Sequence, residues 1–407
     1  MTTATLATLA TEATGPLRGL RILDMTGVVL GPSATAMLGD WGAEVIKVEP
    51  PGGDLVRNAG VFRNRGMASV FLAINRNKRS LCLDIKTEAG KDVLRRLIAT
   101  ADVLATNIRP AGMARAGFGY ADCAAINPRL IYAAATGFGQ DGPWRARPAF
   151  DEIIQAASGF ADIVGEEQGR PVFVPSLIAD KLTGMALAMA ILAALVHRGS
   201  TGEGQLVEVP MLETLTAFIG IDHLGGMAFE PPEGPAGYER LRHRRPVPTK
   251  DGWMTLLPYT AAHWRTFFTE AGREELIAEL GIEDPVKRNA NIERVYAATA
   301  EIAQTRTTAE WLALCDRHDI PATAFTRLED APEHPHLKAV GMFQLHEHPT
   351  EGTIRSTRPP TKFTKTPANV RRLAPRLGEH SRELLVELGY DEAAIRALAE
   401  QGAVKLA

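Results

Sequence analysis

The residues in this sequence best suited to chemistry lie in the stretch PSLIADKLTG, Pro175–Gly184. A single carboxylate, Asp180, stands there between an apolar run and a long Ala/Leu/Met segment of helical composition. At the wall of an apolar cleft a carboxylate loses hydration, and a partly desolvated carboxylate is a nucleophile toward an activated acyl group. An Asp just ahead of a helical run has a second reading as an N-cap, its side chain accepting backbone N–H bonds. The stretch by itself leaves both open.

Cysteine offers no strong competing nucleophile. Cys82, Cys123 and Cys315 are odd in number, widely separated and free of any CxxC or CxxH pairing. That excludes a conventional zinc cluster and suits a reducing cytosol. Cys82 falls in SLCLDI, an alternating strand pattern where a small buried hydrophobe is the default. The turns TGFGQDG and STGEGQ lack the lysine of a phosphate-binding P-loop.

The elements that must position Asp180 read as an open α/β sheet. From Leu17 to Glu49 the pattern is strand, Gly/Pro turn at Gly31 and Pro32, Ala-rich helix, strand: a βαβ unit with a right-handed crossover. A helix is expected from Asp84 to Ala99, and strands over Asp102–Asn107 and Leu130–Thr136. Alternation of this kind places a ligand at the carboxyl ends of the strands. The texture then changes to a Pro/Gly-rich charged segment from Phe229, followed by strand-like WMTLLPY and helices around Ala262–Ala271, Ile292–Gln304 and Thr308–His318.

Length and charge bound the rest. The 407 residues can bury a large core and divide into two domains. Lys+Arg 45 against Asp+Glu 48 argues against a nucleic-acid partner. The longest apolar run, Met185–Val196, is shorter than the ~20 residues a membrane helix needs. The first fourteen residues hold no Lys or Arg and read as a frayed polar tail rather than a signal or transit peptide, so a cytoplasmic protein with no membrane partner is expected.

Several stretches, in order, resemble the class III CoA-transferases, the CaiB/BaiF family of formyl-CoA transferase and carnitine CoA-transferase. They are GLRILDMTGVVLGPSATAMLGDWGAEVIKVEPPGGD from Gly19, NRNKRSLCLDIKTEAGK from Asn75, NIRPAGMARAGFGY from Asn107, INPRLIYAAATGFGQDGPWRARPAFD from Ile126, the Asp180 stretch, HRGSTGEGQLVEVPMLE from His197, and LGEHSRELLVELGY near the C-terminus. The resemblance implies a large Rossmann-like α/β domain completed by the C-terminal segment, a smaller α+β domain and an interlocked homodimer. Its boundaries would be 1–218 for the first part of the large domain, 219–245 for a linker, 246–327 for the small domain, 328–348 for a second linker and 349–407 for the returning segment.

The resemblance also implies the chemistry: Asp180 as covalent nucleophile, an acyl-CoA and a carboxylic acid as substrates, and no metal or tightly bound cofactor. Backbone N–H groups near Val28, Val29 and Leu30, at the start of the first helix, are candidates for stabilising an oxyanion. Leu83, Asn107, Ile108 and Arg115 match family contacts to CoA, and Arg109 and Arg147 are candidate phosphate partners because a guanidinium binds phosphate in fork geometry, the alternative for each arginine being a solvated surface charge. Formyl-CoA transferase carries a glutamine where this sequence has Val29 and a glycine-rich lid without counterpart after Phe229, which points away from the oxalate/formate pair. Arg57, Arg63, Arg65, Arg76 and the RLRHRR run, Arg240–Arg245, offer charge for a dicarboxylate such as succinate.

Three other readings compete. An α-methylacyl-CoA racemase shares the scaffold, but Phe150, beside Asp151, occupies the place of its histidine base and cannot move a proton. A nicotinamide-dependent dehydrogenase would use Glu49 for a ribose, yet the turn TGVVLGPSA lacks GxGxxG. A non-catalytic acyl-CoA-binding protein would have no use for Asp180.

Overall fold

Strands β1 (Arg21–Met25), β2 (Glu44–Glu49), β3 (Lys78–Leu83), β4 (Val103–Thr106), β5 (Ile131–Thr136) and β6 (Leu206–Pro210) run parallel in a computed structural model that describes residues 6–407. The start of the N-terminal tail, and the side chains at 239 and 240 with the first arginine of the RLRHRR run, lie outside that description. The chain up to Ile219 and the segment Ala339–Ala407 form one unit; Gly220–Lys338 forms another.

In the first unit Val404–Lys405 pairs antiparallel with β3, giving a seven-stranded sheet ordered Val404–Lys405, β3, β2, β1, β4, β5, β6. Strands buried on both faces need apolar side chains throughout, which is why β5 reads IYAAAT with every residue buried. Strand order reverses between β1 and β4, and at such a switch point the connections diverge to open a crevice beyond the carboxyl ends of the strands. The sheet therefore places residues 26–30 and 107–109 side by side.

Helix α1 (Leu30–Asp40) follows β1, and a 24-residue helix, Ile178–Thr201, leads into β6. Each runs antiparallel to the strands it connects, so the two lie parallel with their N-termini at the carboxyl edge of the sheet. The long helix packs against α1, β5 and β6 through a face spaced by three and four residues, from Ala179 and Asp180 to Arg198. By length and composition it is also long enough to cross a membrane, which the shorter run Met185–Val196 did not suggest. Its opposite face leaves Met185, Met189 and Val196 exposed.

The helix expected from Asp84 begins instead at Glu88. Thr87 caps it, its hydroxyl accepting from the Gly90 N–H at 3.0 Å, while the Asp84 carboxylate accepts from Lys86 N–H at 2.9 Å and turns the chain first. All three cysteines are buried and free. Burial pushes the thiols of Cys123 and Cys315 up to about 12 and about 11, beyond useful thiolate chemistry at neutral pH.

The second unit holds a three-stranded antiparallel sheet, Val247–Pro248, Trp253–Leu256 and Ala322–Ala324, packed with helices Ala261–Glu270, Ile292–Ala303 and Thr308–Arg317 around Trp264, Phe267, Phe268 and Trp311. The stretch 219–245 carries the end of helix Met211–His223, a turn at Gly225–Ala228 and a short helix, Glu239–His243. In the first unit, Phe343–His348 and Gly352–Thr357 form a hairpin across position 349.

Candidate active site

The switch point brings Gly27 against Asn107. The Asn107 amide accepts from Gly27 N–H at 3.0 Å and donates to Gly27 C=O at 2.8 Å, locking the turn after β1 to the loop after β4. Beside this brace lies a cavity of about 290 Å³ whose lining includes Val28, Leu83, Asn107 and Ile108. Four of the expected contacts are therefore collected in one place. Asp54 and Lys86 line it too, and neither was singled out from sequence. The signal for Lys86 was its place just past the carboxyl end of β3; it is exposed and has no carboxylate partner among the described residues.

Val29 and Leu30 are buried and do not line this cavity, so anything they offer a ligand there is main-chain. Val28 needs correction as an oxyanion donor: its N–H is already given to Asp54 Oδ1 at 3.0 Å. Among the described residues no side chain caps α1, which leaves N–H groups of its first turn for the role. Arg109, Arg115 and Arg147 lie outside the lining. Arg109 donates to Ala146 C=O at 3.3 Å, Arg147 lies over the Trp144 ring at 4.2 Å, and Arg115 is exposed in the last turn of Pro110–Ala116.

Asp180 is the third residue of its helix and not the N-cap, a position held by Leu177. Its carboxylate accepts no hydrogen bond from any described residue, so the capping role fails. Asp151 does the work of a cap instead, accepting from the Asp180 N–H at 2.9 Å and from Gln155 Nε2 at 2.6 Å. Burial, reinforced by the negative charges of Asp151 and Glu152, pushes the Asp180 carboxyl up to about 7. An acid in this state is ionised in part at neutral pH and poorly solvated when it is, as a carboxylate nucleophile requires.

Gly184, one turn further along the same face, shows how closely this helix meets α1. A Cβ there would lie 2.4 Å from Ser33 Oγ and 2.6 Å from Leu30 C=O. The Leu30 contact is backbone and cannot swing away. Gly184→Ala should thus push the Asp180 turn off the start of α1 and destabilise the fold by roughly 1–3 kcal/mol, measured by urea unfolding; an unchanged midpoint would show that the helices tolerate separation.

Two readings lose their footing. Glu49 is saturated: both its oxygens take Arg57 nitrogens at 2.6 Å and one also takes the Ser80 hydroxyl at 2.9 Å, so it is not free for a ribose. Arg57 is spent in the same pair, and Arg76 is held by Asp40, which removes both as dicarboxylate partners; Arg65 remains exposed.

The family model described as CoA-transferase family III matches residues 17–381. The chain is 34% identical to succinate–glutarate CoA-transferase of Agrobacterium fabrum, with 92% of this chain and 96% of that protein covered. It is 33% identical to succinyl-CoA:glutarate CoA-transferase of Homo sapiens, covering 96% and 90%. The crystal structure of a CaiB/BaiF family protein from Brucella suis superposes with a TM-score of 0.79 at 29% identity, covering 92% of this chain and all of that one. A carboxylate in the first turn of a core helix, at the carboxyl edge of a doubly wound sheet, has thus been found in a chain that belongs to CoA-transferase family III and is an enzyme of CoA transfer.

Proposed function

We propose that the enzyme moves CoA from an acyl-CoA to a dicarboxylic acid, with succinate on one side of the exchange and Asp180 as covalent nucleophile. The observation that carries this is the Asp180 carboxylate, desolvated and accepting no hydrogen bond from any described residue, one turn ahead of Gly184, where its helix meets the start of α1. The substrate class follows the relatives, among them a protein of Chloroflexus aurantiacus named succinyl-CoA–L-malate CoA-transferase beta subunit, 33% identical over 93% of this chain.

In the proposed sequence a carboxylate oxygen of Asp180 attacks the thioester carbonyl carbon, and N–H groups of the first turn of α1 receive the developing oxyanion. The C–S bond breaks, leaving a mixed aspartyl–acyl anhydride and CoA thiolate. The thiolate attacks the aspartyl carbonyl and releases the first carboxylate, leaving an aspartyl-CoA thioester. The second acid attacks that thioester to form a new anhydride, and the returning thiolate attacks its acyl carbonyl, regenerating Asp180. Thioester and anhydride lie close in energy, so no metal or resident cofactor enters the scheme.

CoA itself would lie along the cavity of Val28, Leu83, Asn107 and Ile108, with Lys86 and, beyond the lining, Arg109, Arg115 and Arg147 for its phosphates. The racemase alternative has no base at the exposed Phe150. The test is to incubate the enzyme with succinyl-CoA and trap with hydroxylamine: modification of Asp180 supports the scheme, and modification of another carboxylate reassigns it. A panel of acids then fixes the acceptor.

The assembly in this reading is an interlocked homodimer built on the domain boundaries given above, working in the cytoplasm. The exposed Met185, Met189, Val196, Phe150 and Ile153 supply apolar surface for a second copy, and three free buried thiols suit a reducing compartment. Sedimentation at nanomolar concentration should show a dimer that persists until it unfolds; an active monomer would refute the interlock.

A further inference from the structure

The turn that joins β1 to α1 is held in a conformation its sequence resists. Val28 has φ +65°, a left-handed value that crowds a β-branched side chain. Its neighbours are pinned from every side. Asp24 accepts from the Thr26 N–H at 3.0 Å, Lys47 Nζ donates to Thr26 C=O at 3.0 Å, and Asn107 takes both groups of the Gly27 peptide. The Val28 N–H goes to Asp54 Oδ1 at 3.0 Å, while Asp54 Oδ2 receives Lys47 Nζ at 2.9 Å. Both members of that ion pair are buried, with side-chain exposures of 0% and 1%.

We propose that Asp54, anchored by Lys47, is a positioning residue for CoA transfer: its bond to the Val28 N–H holds the turn left-handed and so aims the first turn of α1 at the reacting carbonyl. A strained residue persists only where its surroundings over-determine it. Of the groups that pin this turn, Asp54 is the one bonded to the strained residue itself. The proposal rests on the reading that the transfer occurs at Asp180 beside α1. Asp54 has a second, local task, accepting from the Val56 N–H at 3.1 Å as the N-cap of Leu55–Asn58. Serine at 54 can keep that cap but cannot also reach Val28 and Lys47.

The experiment uses this separation. Lys47→Met accompanies Asp54→Ser so that no ammonium is buried unpaired, and the pair is compared with and without Val28→Gly. Glycine adopts positive φ freely, removing the roughly 5- to 30-fold bias against the left-handed turn. If Asp54 acts by holding Val28, Val28→Gly should restore at least about five-fold of the lost kcat per folded molecule, with folding checked by circular dichroism. A purely structural Asp54 would move the melting temperature and leave kcat unrestored, which overturns the proposal. If the Lys47→Met/Asp54→Ser protein fails to fold, adding Val28→Gly must recover a folded, active enzyme; a triple variant equally unfolded also overturns it. Hydroxylamine trapping at Asp180 is read on the wild-type enzyme, so failure of the nucleophile shows there and failure of the Asp54 role shows in the comparison.

Discussion

Asp180→Ala should lower kcat for CoA transfer by roughly a thousand-fold or more while CoA still binds within a few-fold of the wild-type affinity. The expected split follows from where the residue sits. Asp180 is not among the residues lining the cavity of Val28, Leu83, Asn107 and Ile108, so its loss removes the proposed attacking oxygen and leaves that surface intact. Its carboxylate accepts no hydrogen bond among the described residues, and the Asp180 N–H that Asp151 receives belongs to the backbone and survives the substitution. Stopped-flow kinetics with calorimetric titration of CoA checks both halves. A variant within ten-fold of wild type would mean that the carboxylate is not covalent, and lost CoA affinity would mean that the residue binds rather than reacts.

The second large effect is in pH. In the proposed scheme only the carboxylate form attacks, so with the Asp180 acid raised to about 7 the rate should climb about tenfold per pH unit on the acid side and level above about 7. Asp151→Asn should move that bend to lower pH, because it deletes one of the two negative charges that reinforce burial and keeps an oxygen for the Asp180 N–H. Stability should respond with the opposite sign. The folded state holds a proton on Asp180 that the unfolded chain, at its ordinary value of 3.8, has released, so ionisation costs stability as pH rises from about 4 toward 7. Asp180→Asn, neutral throughout, should be more stable than wild type at pH 8 by roughly 1–3 kcal/mol, with the gap closing toward pH 5. Urea unfolding at the two pH values measures it; an asparagine variant less stable at pH 8 would show that Asp180 is better solvated than its burial implies.

What could be read in the chain and what could not divide along physical lines. The βαβ pattern from Leu17 to Glu49, the strand at Leu130–Thr136 and the helices of the second unit are written in apolar spacing, because each element must bury one face and spacing alone says which. Asp180 was legible for a related reason: a lone carboxylate in an apolar setting is conspicuous. Its partner Asp151 was noticed only as the neighbour of Phe150, since 29 positions of chain separate it from the N–H it accepts, and only the return of the long helix along the sheet brings the two together. Lys47, Lys78 and Arg79 lie within strands β2 and β3 and are all buried, for Asp24, Asp54, Glu383 and Glu387 reach them from other segments. The same holds for Val28, where nothing in TGVVLGP announces a left-handed valine. That conformation exists because Asp54 and the neighbouring braces supply hydrogen bonds that a local reading cannot contain. The sequence by itself determined the elements and made Asp180 stand out, since those signals lie within one stretch of chain; tertiary structure decided against the capping reading of Asp180 and set the charge pairing, the strained turn and the acidity of that carboxyl, because each depends on groups that are distant in sequence and meet only after burial.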